Sequence, residues 1–484
     1  MNVGLVDVSI RDGNQSLWGA TGLRTAHILQ VAPVLERVGF RALDYTSSTA
    51  MGVAVRNHRE DPWERIRRTR ALMPTTKLQL IGTGFRFISW ENSHPETMQL
   101  VYDRLAVNGI DRVVVLDPMH DMDAARETAR RLKKAGIEEV VGALTFTISA
   151  VHDDAFYADL ARQMRECPDI DRVYVKDPAG ILSADRARTL FPAIKAQLGD
   201  TPLELHSHAT IGLSMQTYAI APSLGVEVVQ VGCGALGNGS SLPEAQRTVA
   251  NLREMGHTVD IDDRALDLAC RFFDRHAAAE ELPVGRPQDF DAAFLHHQIA
   301  GGVLTTTRRQ LREIGMEDRF ESLIEEVGRV RAELGHPIMV TPFPQMVVSQ
   351  ALFNVMGERY ANVPDQVIRY AQGTFGRPTA PIQPDVLDRI LDRPRARELA
   401  AEPPPPSPEE LRRRFPGVSD EELLLRAHMP AEQVDAMVAA GPAPDHYNPS
   451  LAPVLSLLGE LGSRPSVHDL AVTKPGFSLA VRRA

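Results

Sequence analysis

Eight short β-prone runs, beginning near Val3, Ala42, Leu78, Arg112, Glu139, Arg172, Leu203 and Glu227, recur roughly every 30 residues with helical segments between them. Strands alternating with helices form parallel sheets. Eight such units at this spacing predict an α/β fold, a closed (β/α)8 TIM barrel of about 250 residues, here over residues 1–285. Runs such as Val113-Val114-Val115-Leu116 and Val228-Val229 are continuously apolar, as expected of strands with helices outside and packed side chains within. Ile28, Val31, Leu35 and Val38 recur at helical spacing, as do Leu100, Tyr102 and Leu105. An open doubly wound sheet would bring a glycine-rich phosphate turn after its first strand. The first turn, I-R-D-G-N-Q-S-L from Ile10, holds one glycine and supports neither a dinucleotide nor a P-loop signature.

Past the barrel the pattern changes to long helical stretches, Met316 to Leu334, Gln345 to Met356 and Pro364 to Gly373, which predict a mostly helical domain over 286–400. A stiff proline-rich linker follows at Pro403-Pro404-Pro405-Pro406, and helical patterning resumes to 440 with Ser419 as a helix start. Residues 441–484 are weakly patterned and predict a weakly structured tail. A net charge of -10 leaves no basic footprint for nucleic acid. No apolar run approaches the roughly 18 residues of a membrane span, and the N-terminus lacks a signal-peptide pattern. Three scattered cysteines, Cys167, Cys233 and Cys270, add no C-x-x-C pair, and a cytoplasmic location is expected.

Of 53 Lys plus Arg residues only six are Lys, and one of these, Lys176, ends the run R-V-Y-V-K-D-P-A-G. An amine can lose its proton and react where guanidinium cannot. The plainer reading is a lysine snorkelling from a strand end into water. His206 and His208, two apart at the end of another strand, share one face, and Asp12 follows the first strand. Barrel enzymes place catalytic groups at strand C-termini. A carboxylate and two imidazoles suit a divalent transition metal, with Zn²⁺ or Mn²⁺ foremost. Taken singly, the histidines also read as a hydrogen-bonded strand end and Asp12 as a helix cap. A lysine beside a cation has a lowered pKa, and its neutral amine can add carbon dioxide to give a carbamate ligand.

Several stretches carry a family resemblance: I-R-D-G-N-Q-S-L-W-G-A-T-G-L-R-T, R-E-D-P-W-E-R-I-R from Arg59, V-K-D-P-A-G, L-H-S-H, L-H-H-Q-I-A-G-G from Leu295, V-T-P-F-P-Q from Val340 and V-P-D-Q-V-I-R-Y from Val363. In order over roughly residues 3–430, they resemble the carboxyltransferase part of the pyruvate carboxylase family, including the oxaloacetate decarboxylase α-subunit and the transcarboxylase subunit. The resemblance implies a barrel followed by a helical funnel domain, with a metal held by Asp12, carboxylated Lys176, His206 and His208. It implies that Arg11 and Gln15 help hold a 2-oxo acid and that Thr341 relays a proton between substrate carbon and biotin. The activity implied is carboxyl transfer or decarboxylation between carboxybiotin and a 2-oxo or related acid, through a metal-stabilised enolate.

The departures cluster around the substrate. Asn14 stands where the family usually has His, Ser47-Ser48-Thr49-Ala50 replaces a W-G-G region, and Ala209 replaces an aspartate. Thr83 occupies the position of an Arg that gathers substrate carboxylate, with Arg86 three residues on as a substitute. A divergent member with an altered acceptor is expected. The only lysine after Lys195 is Lys474, in V-T-K-P-G-F without the methionine neighbours of a biotin site. Biotin is therefore expected on a separate biotin carboxyl carrier protein, charged by a biotin carboxylase subunit, and the chain is expected to form a homo-oligomer, a dimer. Two other readings stand beside this one: a biotin-independent lyase or synthase of the same barrel superfamily, sharing R-D-G and H-x-H, and a non-catalytic scaffold subunit.

Overall fold

The structure of the chain is a computed structural model. It describes residues 1–89, 91–299, 311–312, 315–340 and 342–446, and beyond these only 457, 461, 464, 469–474 and 477–482. Eight strands, β1 (Gly4–Asp7), β2 (Ala42–Ser47), β3 (Lys77–Gly82), β4 (Arg112–Val115), β5 (Glu139–Thr145), β6 (Arg172–Asp177), β7 (Leu203–Ser207) and β8 (Val226–Val231), form a closed parallel barrel. β1 pairs with β2 on one side and with β8 on the other, which closes the sheet. Each strand begins within a residue of its predicted start, because an apolar run buried on both faces leaves a long uninterrupted signal. Several of the helices between them start where a side chain caps the first turn. Asp61, Asp121, Asp153 and Ser183 each accept a backbone N–H in the first turn that follows. The D-P-W-E-R stretch is such a start: Asp61 caps the helix Pro62–Leu72, and Trp63 is fully buried beneath it.

The barrel interior departs from the apolar packing expected of it. On β3 to β6 an apolar wall remains, made by Ile81, Val114, Leu116, Val141, Ala143 and Tyr174. Val6, Ala42 and Val228 make a second, smaller apolar patch on β1, β2 and β8, and buried charged side chains lie among these. Arg112 donates to Glu139 and Glu204, and Arg172 donates to Glu204, all inside the barrel. Arg112, Glu139 and Arg172 open β4, β5 and β6, and Glu204 is the second residue of β7, so in these four strands a charged residue that faces inward stands at or next to the start.

Beyond the barrel, the helices Phe320–Glu333, Phe343–Met356, Asp365–Ala371, Pro384–Leu391 and Pro394–Ala400 share a second core with Leu323, Val327, Val347 and Ile368 at its centre. This helical domain covers the barrel mouth. Met119, after β4, belongs to its core, and Val340 packs on the apolar wall inside the barrel. Arg331 donates to Thr147 Oγ1 at 2.7 Å and to the Ile148 carbonyl at 3.0 Å, joining the domain to the loop after β5. Three further helices, Pro408–Arg414, Asp420–His428 and Ala431–Ala440, return to the barrel flank and bury Leu424, Leu425 and Val434 in the main core. Two antiparallel strands, Asp469–Lys474 and Phe477–Arg482, lie near the C-terminus. Among the described residues no helix is long and apolar enough to cross a membrane.

At the mouth, the Thr145 N–H donates to His120 Nε2 at 3.0 Å, which requires that nitrogen to stay unprotonated. Burial accordingly pushes the His120 pKa down to about 3. The unfolded chain, with a histidine pKa near 6.5, takes up a proton the fold refuses, so stability is lost as pH falls below about 6.5. Relative to His120→Gln, the native chain is expected to lose about 2 kcal/mol more unfolding free energy between pH 7 and pH 5. Urea titrations of both proteins at the two pH values measure this, and parallel losses would contradict it.

Candidate metal centre

After β1 the chain enters a single π-type turn, Ser9–Gly13, that carries Arg11 and Asp12 to the mouth. The turn is held from below: Asp7 accepts from the Ser9 N–H at 3.1 Å and from its hydroxyl at 2.6 Å. β6 ends in Lys176 and Asp177. Lys176 faces inward, whereas Asp177 accepts from the Ile181 and Leu182 N–H groups at 3.0 and 2.9 Å and from Ser207 Oγ at 2.7 Å. The aspartate of K-D-P-A-G thus shapes the loop rather than the site. Gly180, at φ +72°, lies so close to β7 that a Cβ would stand 2.5 Å from the His208 carbonyl oxygen. Gly180→Ala is expected to lose about 2 kcal/mol or more, from left-handed strain and displaced backbone at His208. Thermal unfolding with metal analysis checks this; unchanged melting and full metal content would refute it.

The four strand-end residues converge. Asp12 Oδ2 lies 3.2 Å from His206 Nε2 and 3.6 Å from both His208 Nε2 and Lys176 Nζ. Lys176 Nζ is 2.8 Å from His206 Nε2, and the two Nε2 atoms are 3.2 Å apart. His206 Nδ1 is 2.7 Å from Gln230 Oε1, and His208 Nδ1 is 2.7 Å from the Ser240 carbonyl. Those oxygens accept, so each Nδ1 carries the hydrogen and each Nε2 lone pair points to the common centre. Asp12 Oδ1 accepts from Ser16 Oγ at 2.8 Å, which leaves Oδ2 for the centre.

Electrostatics match this geometry. Burial would raise the Asp12 pKa, but Arg11, His208 and Lys176 outweigh it and hold the carboxyl well below its usual range. Burial lowers Lys176 to about 8 despite the opposing pull of Asp12, and burial together with Lys176 lowers His206 to about 3. A carboxylate, two imidazoles and an amine of lowered pKa form a donor set that a divalent cation fits. Asp12, His206 and His208, all buried, are the group of carboxylate and imidazole donors close enough to share an ion among the described residues.

The other predicted residues are placed unevenly. Arg11 is at the centre, its guanidinium shared between Asp12 and Asp44. Gln15 follows in the next helical turn, where its Oε1 is buried without a hydrogen-bond partner. Thr83 ends the inward line of β3 and buries an unpartnered hydroxyl. Arg86 sits in the loop beyond, and burial lowers its pKa to about 10. Thr341 lies outside the described residues, as do Ala300 to Gly302 of the L-H-H-Q-I-A-G-G stretch. The sequence reading missed Gln230, Ser240 and Asp44. Gln230 and Asp44 were visible as polar residues inside apolar strands; Ser240, acting through its carbonyl, left no side-chain signal.

Fold and site together define a (β/α)8-barrel enzyme with a buried carboxylate–imidazole cluster at the strand C-termini and a helical domain over its mouth. The family described as "Conserved carboxylase domain" matches residues 294–441. Over 394 residues the chain is 32% identical to a pyruvate carboxylase subunit of Methanocaldococcus jannaschii, covering 81% of this chain and 68% of that protein. It is 30% identical over 392 residues to the 2-oxoglutarate carboxylase large subunit of Hydrogenobacter thermophilus, covering 80% of this chain and 59% of that one. The carboxyl transferase domain from Rhizobium etli pyruvate carboxylase superimposes with a TM-score of 0.82 over 99% of this chain and 83% of its own, at 21% identity, a likeness of fold. The chain belongs to the pyruvate carboxylase family, as a carboxyltransferase subunit.

Proposed function

We propose that this chain moves a carboxyl group between carboxybiotin, brought by a separate carrier protein and charged by a biotin carboxylase subunit, and a 2-oxo acid, working as a cytoplasmic homo-oligomer. The observation that carries the chemistry is the convergence of Asp12, Lys176, His206 and His208 with both imidazole Nδ1 atoms committed elsewhere. These four residues would hold a divalent cation, Zn²⁺ or Mn²⁺, whose Lewis acidity polarises the carbonyl of the acid when bound. Lys176, with its pKa lowered to about 8, presents the neutral amine that carbamate formation needs. The amine nitrogen adds to the carbon of CO₂ and releases one proton. Arg11 and Gln15 hold the acid, and the Thr341 hydroxyl passes the proton between substrate carbon and biotin. Val340, next in the chain to Thr341, packs on the wall inside the mouth, which supports that assignment.

The acceptor differs from pyruvate in this reading. Thr83 offers a hydroxyl where a guanidinium would pair with a carboxylate, and Arg86 in the following loop supplies charge instead. A charged hydrogen bond is worth about 1.5–3 kcal/mol, so without Arg86 as a substitute pyruvate is expected to bind roughly 10- to 150-fold more weakly than with Arg at that position. Turnover against a panel of 2-oxo acids and acyl-CoA thioesters, with and without carboxybiotin, tests the activity. Thr83→Arg tests the acceptor and is expected to improve pyruvate use. Pyruvate as the best native substrate, unaffected by Arg86→Ala, would overturn the altered-acceptor reading.

A further inference from the structure

A hydrogen-bonded chain of charges crosses the barrel interior and ends on Asp12. Arg172 Nε donates to Glu204 Oε1 at 2.5 Å, and Glu204 Oε2 accepts from Arg112 Nη2 at 2.5 Å. Arg112 Nε donates to Gln79 Oε1 at 2.7 Å, and Gln79 Nε2 donates to Asp44 Oδ1 at 3.0 Å. Asp44 Oδ2 accepts from Arg11 Nε at 2.8 Å, while Arg11 Nη2 reaches both Asp44 and, at 2.9 Å, Asp12 Oδ2. Arg112, Glu204 and Asp44 are completely buried. Well-packed apolar side chains would fill the same space without the desolvation cost of buried charge, so the chain of charges calls for a task other than packing.

The direction of the chain is set by chemistry. Arg112 has only donors, so Gln79 must turn its oxygen to Arg112 and its amide N–H to Asp44. Both Asp44 oxygens then accept hydrogen bonds. Burial raises the Asp44 pKa, opposed by the charge of Arg11 and the bonds from Arg11 and Gln79. At the far end, a guanidinium that stays charged sits on the Asp12 oxygen that faces the metal centre. Alone beside Asp12, it would compete with a cation for that oxygen.

We propose that Asp44 and Gln79 are positioning residues for the metal centre: Asp44 engages Arg11 so that Asp12 stays available to a cation, and Gln79, clamped by Arg112, aims Asp44. The inference rests on Asp12 being a metal ligand and goes beyond that assignment to the residues that make it one. Outer partners of metal ligands typically contribute about 10- to 100-fold in affinity. Asp44→Asn keeps the shape and removes the charge, leaving Arg11 to Asp12 alone.

The test is Zn²⁺ titration of the chelator-stripped full chain by calorimetry, with circular dichroism as the folding control. Asp44→Asn is expected to bind Zn²⁺ about 10- to 100-fold more weakly than the native chain. The double variant Arg11→Met with Asp44→Asn is expected to regain most of that loss, because the competing guanidinium is gone; a purely structural role for Asp44 would not be rescued this way. Gln79→Met, nearly isosteric, is expected to weaken binding by a smaller factor and decides the matter should Asp44→Asn fail to fold. Native-like affinity in folded Asp44→Asn, native-like affinity in Gln79→Met where it decides, or a double variant no better than the single one overturns the inference. A native chain that takes up neither Zn²⁺ nor Mn²⁺ stoichiometrically overturns the metal centre itself, and this inference with it.

Discussion

His206→Ala is expected to abolish stoichiometric binding of a divalent metal and to lower carboxyl transfer by about 10³-fold or more. His206 supplies one of two Nε2 donors, and its ring stands within 3.2 Å of Asp12, Lys176 and His208. Lewis-acid stabilisation of developing charge is worth several kcal/mol, the source of that factor. The substitution also leaves Gln230 Oε1 without the partner it now has at 2.7 Å, a loss of about 1–3 kcal/mol in stability. Elemental analysis of protein prepared without chelator reads the first effect and thermal unfolding the last. Full metal occupancy in a folded variant would remove His206 from the centre.

Lys176→Arg is expected to cost at least about 100-fold in carboxyl transfer although it keeps a positive charge. Guanidinium stays protonated and forms no carbamate, and a fixed cation beside His206 repels the metal. The native lysine, at about 8, is neutral in about a tenth of molecules at pH 7, which lets CO₂ trap it. Spectra recorded under ¹³CO₂ should show a carbamate carbon in the native chain that is missing from the variant. A fully active variant, or a native chain without that signal, would return Lys176 to a simple hydrogen-bonding role.

The convergence of the centre's residues was legible in the sequence because each lies at the end of a strand or in the turn just beyond it. A barrel sends all its strand ends to one face, so Asp12, Lys176, His206 and His208 converge once eight parallel strands are granted. Lys176 stood out further through the scarcity of lysine elsewhere. The partners behind them showed at most as polar residues, with no sign of their role. Ser240 acts through its main chain, and Gln230 and Asp44 acquire their roles from neighbours on other strands.

By itself the sequence determined the barrel, its strand starts, the helical region beyond it and the strand-end residues, because these follow from local periodicity and from the fixed polarity of a parallel barrel. Only the tertiary structure decided what fills the barrel. Whether Arg112 at the start of β4 faces solvent or a buried Glu204 on β7 depends on pairing across the interior, which one-dimensional patterning does not encode. The same holds for Asp177 and Lys176, adjacent in the chain: successive strand residues point to opposite faces, so one shapes a loop while the other enters the centre.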